Sequence, residues 1–129
     1  MKEEIKKIFV ERRGWPRMII NKLIDEATLE LPADHPEGTP QAEVVNLSEA
    51  GAGVLTPMQL KKGMQVKLEI SGKDIPRLNL EAEVRWSSSS PVSDGKFPAG
   101  LKFHRLDDQG RMKLQDLVML MRKYRPPLE

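Results

Sequence analysis

The chain has 129 residues, 31% charged and 39% hydrophobic, which is enough for one domain around a single core. A net charge of +2 is too small for nonspecific nucleic-acid binding across the whole surface, and the lack of cysteine excludes disulfides, thiolate metal sites and thiol nucleophiles. No apolar run approaches a membrane span and no secretory leader opens the chain, so a cytoplasmic protein without membrane insertion is expected.

Ile5, Ile8 and Phe9 stand at helical spacing among charges, which predicts a short N-terminal helix or arm over residues 1–10. It is below the length that is stable alone. Gly14 and Pro16 then break the helical pattern, leaving a loop that carries Arg12, Arg13, Arg17 and Trp15. Residues 1–17 hold six basic side chains against three acidic ones. Further on, Ala27, Leu29 and Leu31 alternate with Thr28 and Glu30, the mark of a first strand, and the Pro-rich residues 32–40 form an exposed loop. Ala42, Val44 and Val45 make a second extended run, Val54 and Leu55 a third. Between them lies a corner, Asn46-Leu47-Ser48-Glu49-Ala50-Gly51-Ala52-Gly53. Asn46 and Ser48 supply donors and acceptors that also cap local backbone, while Gly51 and Gly53 permit positive φ and close approach of another molecule.

Period-2 patterning continues downstream. Val66, Leu68 and Ile70 alternate with Gln65, Lys67 and Glu69; Leu80, Ala82, Val84 and Trp86 alternate with Glu81, Glu83 and Arg85; Leu101 and Phe103 alternate with Lys102 and His104. One wet and one dry face is the pattern of antiparallel strands around a core. Near Asp107 the period changes: Leu114, Leu117, Val118 and Met121 share one helix face, Asp107 or Asp108 can cap its start, and Pro126-Pro127 stops it. About six strands with separate terminal helices make a small barrel or rolled sheet, a helix lying against one opening. Met112, Leu120 and Tyr124 fall partly off the apolar stripe; they either form a dimer contact or pack over the barrel mouth.

Little here can do catalysis, so no enzyme is expected. Ser48 lacks a nucleophile elbow and an evident His partner, and the serines at 87–90 form a polar loop. His35 and His104 have no metal-ligand spacing, and Asp25-Glu26 and Asp107-Asp108 are adjacent carboxylates that do not converge on a proton. No phosphate loop ends in Lys-Ser/Thr. Trp86, Phe103 and the Met-rich helix read as core. The arginine loop remains: a guanidinium grips phosphate with a bidentate fork, stacks on a purine, and pairs with guanine O6 and N7. Alone that loop is ordinary solvated surface, and the 46–53 corner alone an ordinary turn. Together they offer phosphate contacts from one side and purine-edge contacts from the other.

Arg13-Gly14-Trp15-Pro16-Arg17 and Asn46-Leu47-Ser48-Glu49-Ala50-Gly51 are complete copies, in order, of the two marks of the PilZ domain family, Arg-x-x-x-Arg and Asp/Asn-x-Ser-x-x-Gly. The chain closely resembles that family over roughly residues 11–122, including Gly100-Leu101-Lys102-Phe103. The resemblance implies an all-β fold, a six-stranded antiparallel β-barrel with a C-terminal α-helix over residues 11–125, preceded by the 1–10 arm. It implies a bacterial receptor for cyclic di-GMP. Arg13 and Arg17 would engage phosphates and guanines; Asn46, where the family often has Asp, would bond a base; Ser48 would add a polar contact; Gly51 would admit the ligand. Arg12, just outside the minimal motif, would serve a second, intercalated ligand molecule. No cofactor or metal is implied. The expected mechanism is an ordering switch: the dianionic ligand bridges the arginine loop to the corner and fixes the N-terminal segment. With no output domain, the signal passes to an effector protein in trans or between copies in a homodimer. Two rivals stand beside this reading. One is a PilZ-like adaptor that binds protein and no nucleotide; the other is a barrel for single-stranded DNA or RNA, which needs exposed aromatics that six aromatic residues at mostly core-like positions do not supply.

Overall fold

Six stretches that alternate apolar and polar residues form six strands, β1 Glu26–Glu30, β2 Glu43–Leu47, β3 Gly51–Thr56, β4 Gln65–Gly72, β5 Ile75–Ser87 and β6 Phe97–Phe103, followed by helix α1, Asp108–Lys123. The computed structural model describes residues 20, 23–73, 75–104 and 106–123. The expected arm at 1–10, Arg12, Arg13, Arg17 and Tyr124 lie outside the described residues. Every pairing is antiparallel, in the order β1-β4-β5-β6-β3-β2. The sheet curls until its two edge strands meet. There Thr28 bridges Gln41, the Leu29 N–H donates to the Pro40 carbonyl at 3.0 Å, and the Ala42 N–H donates to the Ala27 carbonyl at 2.9 Å. Beyond that tie the seam stays open as a cleft of about 420 Å³ between Asp25–Ala27 and Gln41–Val44. The fold is the six-stranded antiparallel split barrel that the resemblance implied.

The dry faces meet inside. Leu29, Leu47, Val54, Leu68, Ile70, Leu80, Ala82 and Val84 are fully or almost fully buried, each large aliphatic contributing about 1.5–3 kcal/mol by leaving water. Helix α1 closes one opening with the residues its spacing predicts, Leu114, Leu117, Val118 and Met121, all in the core. Its start is fixed by Asp107, whose Oδ1 accepts the Gly110 N–H at 2.7 Å, an N-cap worth about 1 kcal/mol. Of the residues off the stripe, Leu120 is half-buried against the core and Met112 is exposed. Ahead of β1, the Ile24 N–H donates to the Ile20 carbonyl at 2.8 Å, a helical bond that drives Ile20 and Ile24 into the core with Leu23.

Three features depart from the alternation. Strand β5 starts at Ile75 and runs for 13 residues despite Pro76. Proline is tolerated because the pairing with β4 shifts register between Ile70 and Gly72, where no ladder N–H is needed. Strand β6 begins at Phe97, four residues ahead of its clear alternation. The third departure corrects an expectation: Trp86 is not on the dry face with Leu80, Ala82 and Val84. A bulge after Val84 carries it outward, so that it pairs with Gly100 while Ser87 pairs with the buried Ala99. There it joins Val92 in packing against Val45 and Leu55, a small cluster separate from the main core.

Candidate functional site

The corner predicted at 46–53 is the tight hairpin between β2 and β3. Ser48 organises it: its N–H donates to the Gly51 carbonyl at 2.9 Å. Its hydroxyl accepts the Ala50 and Gly51 N–H groups, each at 3.2 Å, and lies 3.3 Å from the Gly51 carbonyl as donor. A hydroxyl has one proton and two lone pairs, so this turn employs its full capacity. In this structure Ser48 is the clip of the corner.

Gly51 has a structural reason of its own. Its φ is not left-handed; among the described residues the positive-φ glycines are Gly38, Gly63 and Gly95, so the freedom expected at 51 and 53 is unused. A Cβ at Gly51 would lie 2.1 Å from the Leu101 carbonyl oxygen, because β6 packs hard against the corner. The Phe103 N–H reinforces the clamp by donating to the Ala50 carbonyl at 2.8 Å.

Asn46 is half-buried and reaches the outer wall through another bulge. The pairing of β2 with β3 shifts between Val44 and Asn46, so Val44 and Leu47 point inward while Val45 leaves the core. Bulges re-aim side chains in this way. The register then places Asn46 opposite Gly53, Gly53 opposite Gly100, and Gly100 opposite Trp86. That row crosses β2, β3, β6 and β5 on the outer face. Its two middle positions have no side chain, and its ends carry an amide and an indole. Two residues along, the next outward row sets Gly51 opposite Lys102 and Lys102 opposite Glu83.

Asn46, Ser48 and Gly51 are thus brought together on one hairpin. Sequence reasoning missed Gly100 and Trp86, which share the wall; the run of alternation through Trp86 pointed the wrong way, and a single bulge undoes it. The histidines lie elsewhere. His35 Nδ1 accepts the Glu37 N–H at 3.1 Å within the β1–β2 loop, and the His104 ring bonds the Gln65 side chain. The serines hold structure together, Ser87 at the end of β5 donating to the distant Leu60 carbonyl at 2.7 Å and Ser88 accepting the Ser90 N–H at 3.0 Å within the loop. Among the described residues no helix is long and apolar enough to cross a membrane.

The sequence matches the PilZ domain family over residues 11–120. No curated protein matches it. Among solved structures, the chain is similar to the PilZ domain of YcgR from Escherichia coli with c-di-GMP, at TM-score 0.62 and 19% identity, over 77% of this chain and 82% of that one. It is similar to the Bacillus subtilis inhibitor of motility MotI/DgrA, at TM-score 0.61 and 14% identity, over 81% of this chain and 48% of that one. It is also similar to YcgR from Escherichia coli in complex with c-di-GMP, at TM-score 0.61 and 17% identity, over 78% of this chain and 42% of that one. The chain therefore spans less than half the length of the last two, and at these identities the likeness is one of fold.

Proposed function

The chain belongs to the PilZ domain family, and from that premise we propose that it is a cytoplasmic, non-enzymatic receptor for cyclic di-GMP. One observation carries the reading: the family match runs from residue 11 to residue 120 and contains both motifs intact, Arg13 to Arg17 and Asn46 to Gly51. The location of the second motif supports it, since the hairpin stands at the end of an outer wall whose neighbouring positions are glycine. The two YcgR structures contain the same messenger.

Arg13 and Arg17 supply the charge that two phosphates demand, and their planar forks read guanine edges or stack on the rings. Asn46 presents an amide to a base without adding negative charge to a dianionic ligand. Ser48 holds the corner in shape and contacts ligand only by releasing a bond within the turn. Arg12 adds a third guanidinium for a second ligand molecule. Binding bridges the arginine segment to the hairpin, and the segment so positioned is the surface an effector protein reads. The shift in conformation is limited by the difference in ligand affinity between the two states.

Titration calorimetry with cyclic di-GMP, GTP and cyclic di-AMP tests the reading. Each charge-assisted bond contributes on the order of 1.5–3 kcal/mol, so Arg17→Ala should weaken cyclic di-GMP binding by roughly one to two decades. The expected stoichiometry is two per protomer, falling to one in Arg12→Ala. A native chain that releases no heat with cyclic di-GMP would overturn the receptor reading in favour of a protein-only adaptor.

A further inference from the structure

We propose that the open seam between β1 and β2 is the docking site of the chain's own N-terminal arm, with Ile5, Ile8 and Phe9 laid into its apolar depth and Lys6 and Lys7 held at its acidic rim. The two edge strands share one bridge, Thr28 to Gln41, and among the described residues the bonds across the seam stop at the Ala42 N–H. Past that tie the edges part around the cleft of about 420 Å³. Ile20, Ile24, Ala27 and Val44 line its depth, and Ala42 and Pro57 lie more open at its mouth. The rim is acidic: Asp25 and Glu26 are exposed on one side and Glu43 is half-buried on the other. Lys96, 3.6 Å from Glu43, is the one cation among the lining residues. Open strand edges invite another chain, and proteins guard them by laying a helix or loop across.

The arm suits the seam in pattern, charge and attachment. Ile5, Ile8 and Phe9 stand at i, i+3 and i+4, the anchor spacing of a helix that lies in a groove. A helix this short holds its shape only by packing such a face. Lys6 and Lys7 sit between the anchors, and residues 1–17 hold six basic side chains against three acidic ones, opposite in sign to the rim. The arm joins the barrel through Ile20, which itself lines the cleft, so it is tethered at the wall of its own site. Residues 11–19 reach about 30 Å when extended, and a helix over residues 1–10 is roughly 15 Å long, so the arm can fold back over the seam. So short a tether holds it at an effective concentration on the order of millimolar, and a weak contact is enough. The loop of Arg12, Arg13 and Arg17 is then anchored at both ends, by the docked arm and by Ile20, Leu23 and Ile24 in the core.

The chain has no cysteine, so one introduced cysteine takes a nitroxide spin label at a chosen place. With Glu4→Cys so labelled in the full chain, and no ligand added, the amide NMR signals of Glu26, Ala27, Ala42 and Glu43 should broaden strongly. Those of Glu83 and Lys102, across the barrel on β5 and β6, should stay sharp. Two variants of the labelled chain, each checked for folding by thermal melting, should release the arm. Glu26→Lys with Glu43→Lys reverses the rim, Ile8→Asp removes an apolar anchor, and in both the seam signals should sharpen to the level of Glu83. The labelled chain without further change decides the matter even where a variant does not fold. Seam signals that stay sharp in it, seam and remote signals that broaden alike, or broadening that survives in both folded variants overturns the docking. So does broadening when a spin-labelled chain without nitrogen-15 is mixed with an unlabelled nitrogen-15 chain, which puts a second copy in the cleft. Docking requires no ligand, so these outcomes leave the receptor reading to calorimetry with cyclic di-GMP.

Discussion

The barrel wall has two halves built around the same interior, and they differ in what points outward and in the bulges that aim it. Across β1, β4 and the first part of β5 the outward rows are charged or polar: Glu30 faces Lys67, which faces Glu81, and Thr28 faces Glu69, which faces Asn79. Arg77 adds an ion pair to Glu69 at 2.6 Å. Across β2, β3, β6 and the end of β5 the corresponding row is Asn46, Gly53, Gly100 and Trp86. Cross-strand pairs of opposite charge contribute about 0.2–1 kcal/mol, whereas each strand glycine costs about 0.5–1 kcal/mol relative to alanine. The glycine row is thus the less stable way to build a wall, beside a row that carries Lys102 and Glu83. What it gains is close packing: the Trp86 ring lies over Gly100, where a Cβ would meet it at 2.1 Å, and both glycines of the row are buried. Stability resides in the interior that both halves share; the hairpin that carries the second family motif stands on one exterior.

Substitutions can break or sharpen that contrast. The largest effect should come from the shared interior: Leu68→Ala, at a fully buried site under the charged half, should cost about 3 kcal/mol in urea denaturation. A loss below about 1 kcal/mol would show that the two halves do not lean on one core. On the half with the glycine row, Gly51→Ala should cost about 2 kcal/mol, because its new methyl meets the Leu101 carbonyl and backbone yields poorly. If that variant keeps native stability, the clamp between the hairpin and β6 is not what requires glycine. Ser48→Ala removes the hydroxyl that accepts two N–H groups, and should cost about 1 kcal/mol, read as a lower melting temperature and faster amide exchange at Ala50 and Gly51. The smallest change belongs to the charged half. Arg77→Ala breaks an ion pair whose arginine side chain is 67% exposed, so the loss should be under about 0.5 kcal/mol and smaller still in high salt. A large loss there would mean that the charged rows hold the sheet together, contrary to the contrast drawn here.

Much of this architecture is legible in residue order because its causes are local. Val66, Leu68 and Ile70, or Leu80, Ala82 and Val84, announce strands since successive side chains must leave a strand on opposite sides. Leu114, Leu117, Val118 and Met121 announce a helix for the matching reason at a period of 3.6, and Asp107 its first turn. Asn46, Ser48 and Gly51 can be named because they sit within six residues and one hairpin joins them. Their duties are less legible. Ser48 reads both as a cap for local backbone and as a ligand contact, and its hydroxyl does the first; Gly51 reads as an opening for ligand, and the close approach of β6 is by itself a reason for the missing side chain.

What the chain determined by itself was its six strands and C-terminal helix, most of its core and the two motifs of its family, because each follows from neighbours in sequence. Only the tertiary structure decided the rest. A β-bulge is a mismatch between two paired strands, so no strand encodes it alone. The shift at Val44 and Asn46 depends on β3, and the shift at Val84 and Trp86 depends on β6. Those two single-residue slips turn Trp86 from core to surface and bring it into line with Asn46, across glycines that lie 47 positions apart in the chain and face each other in the sheet.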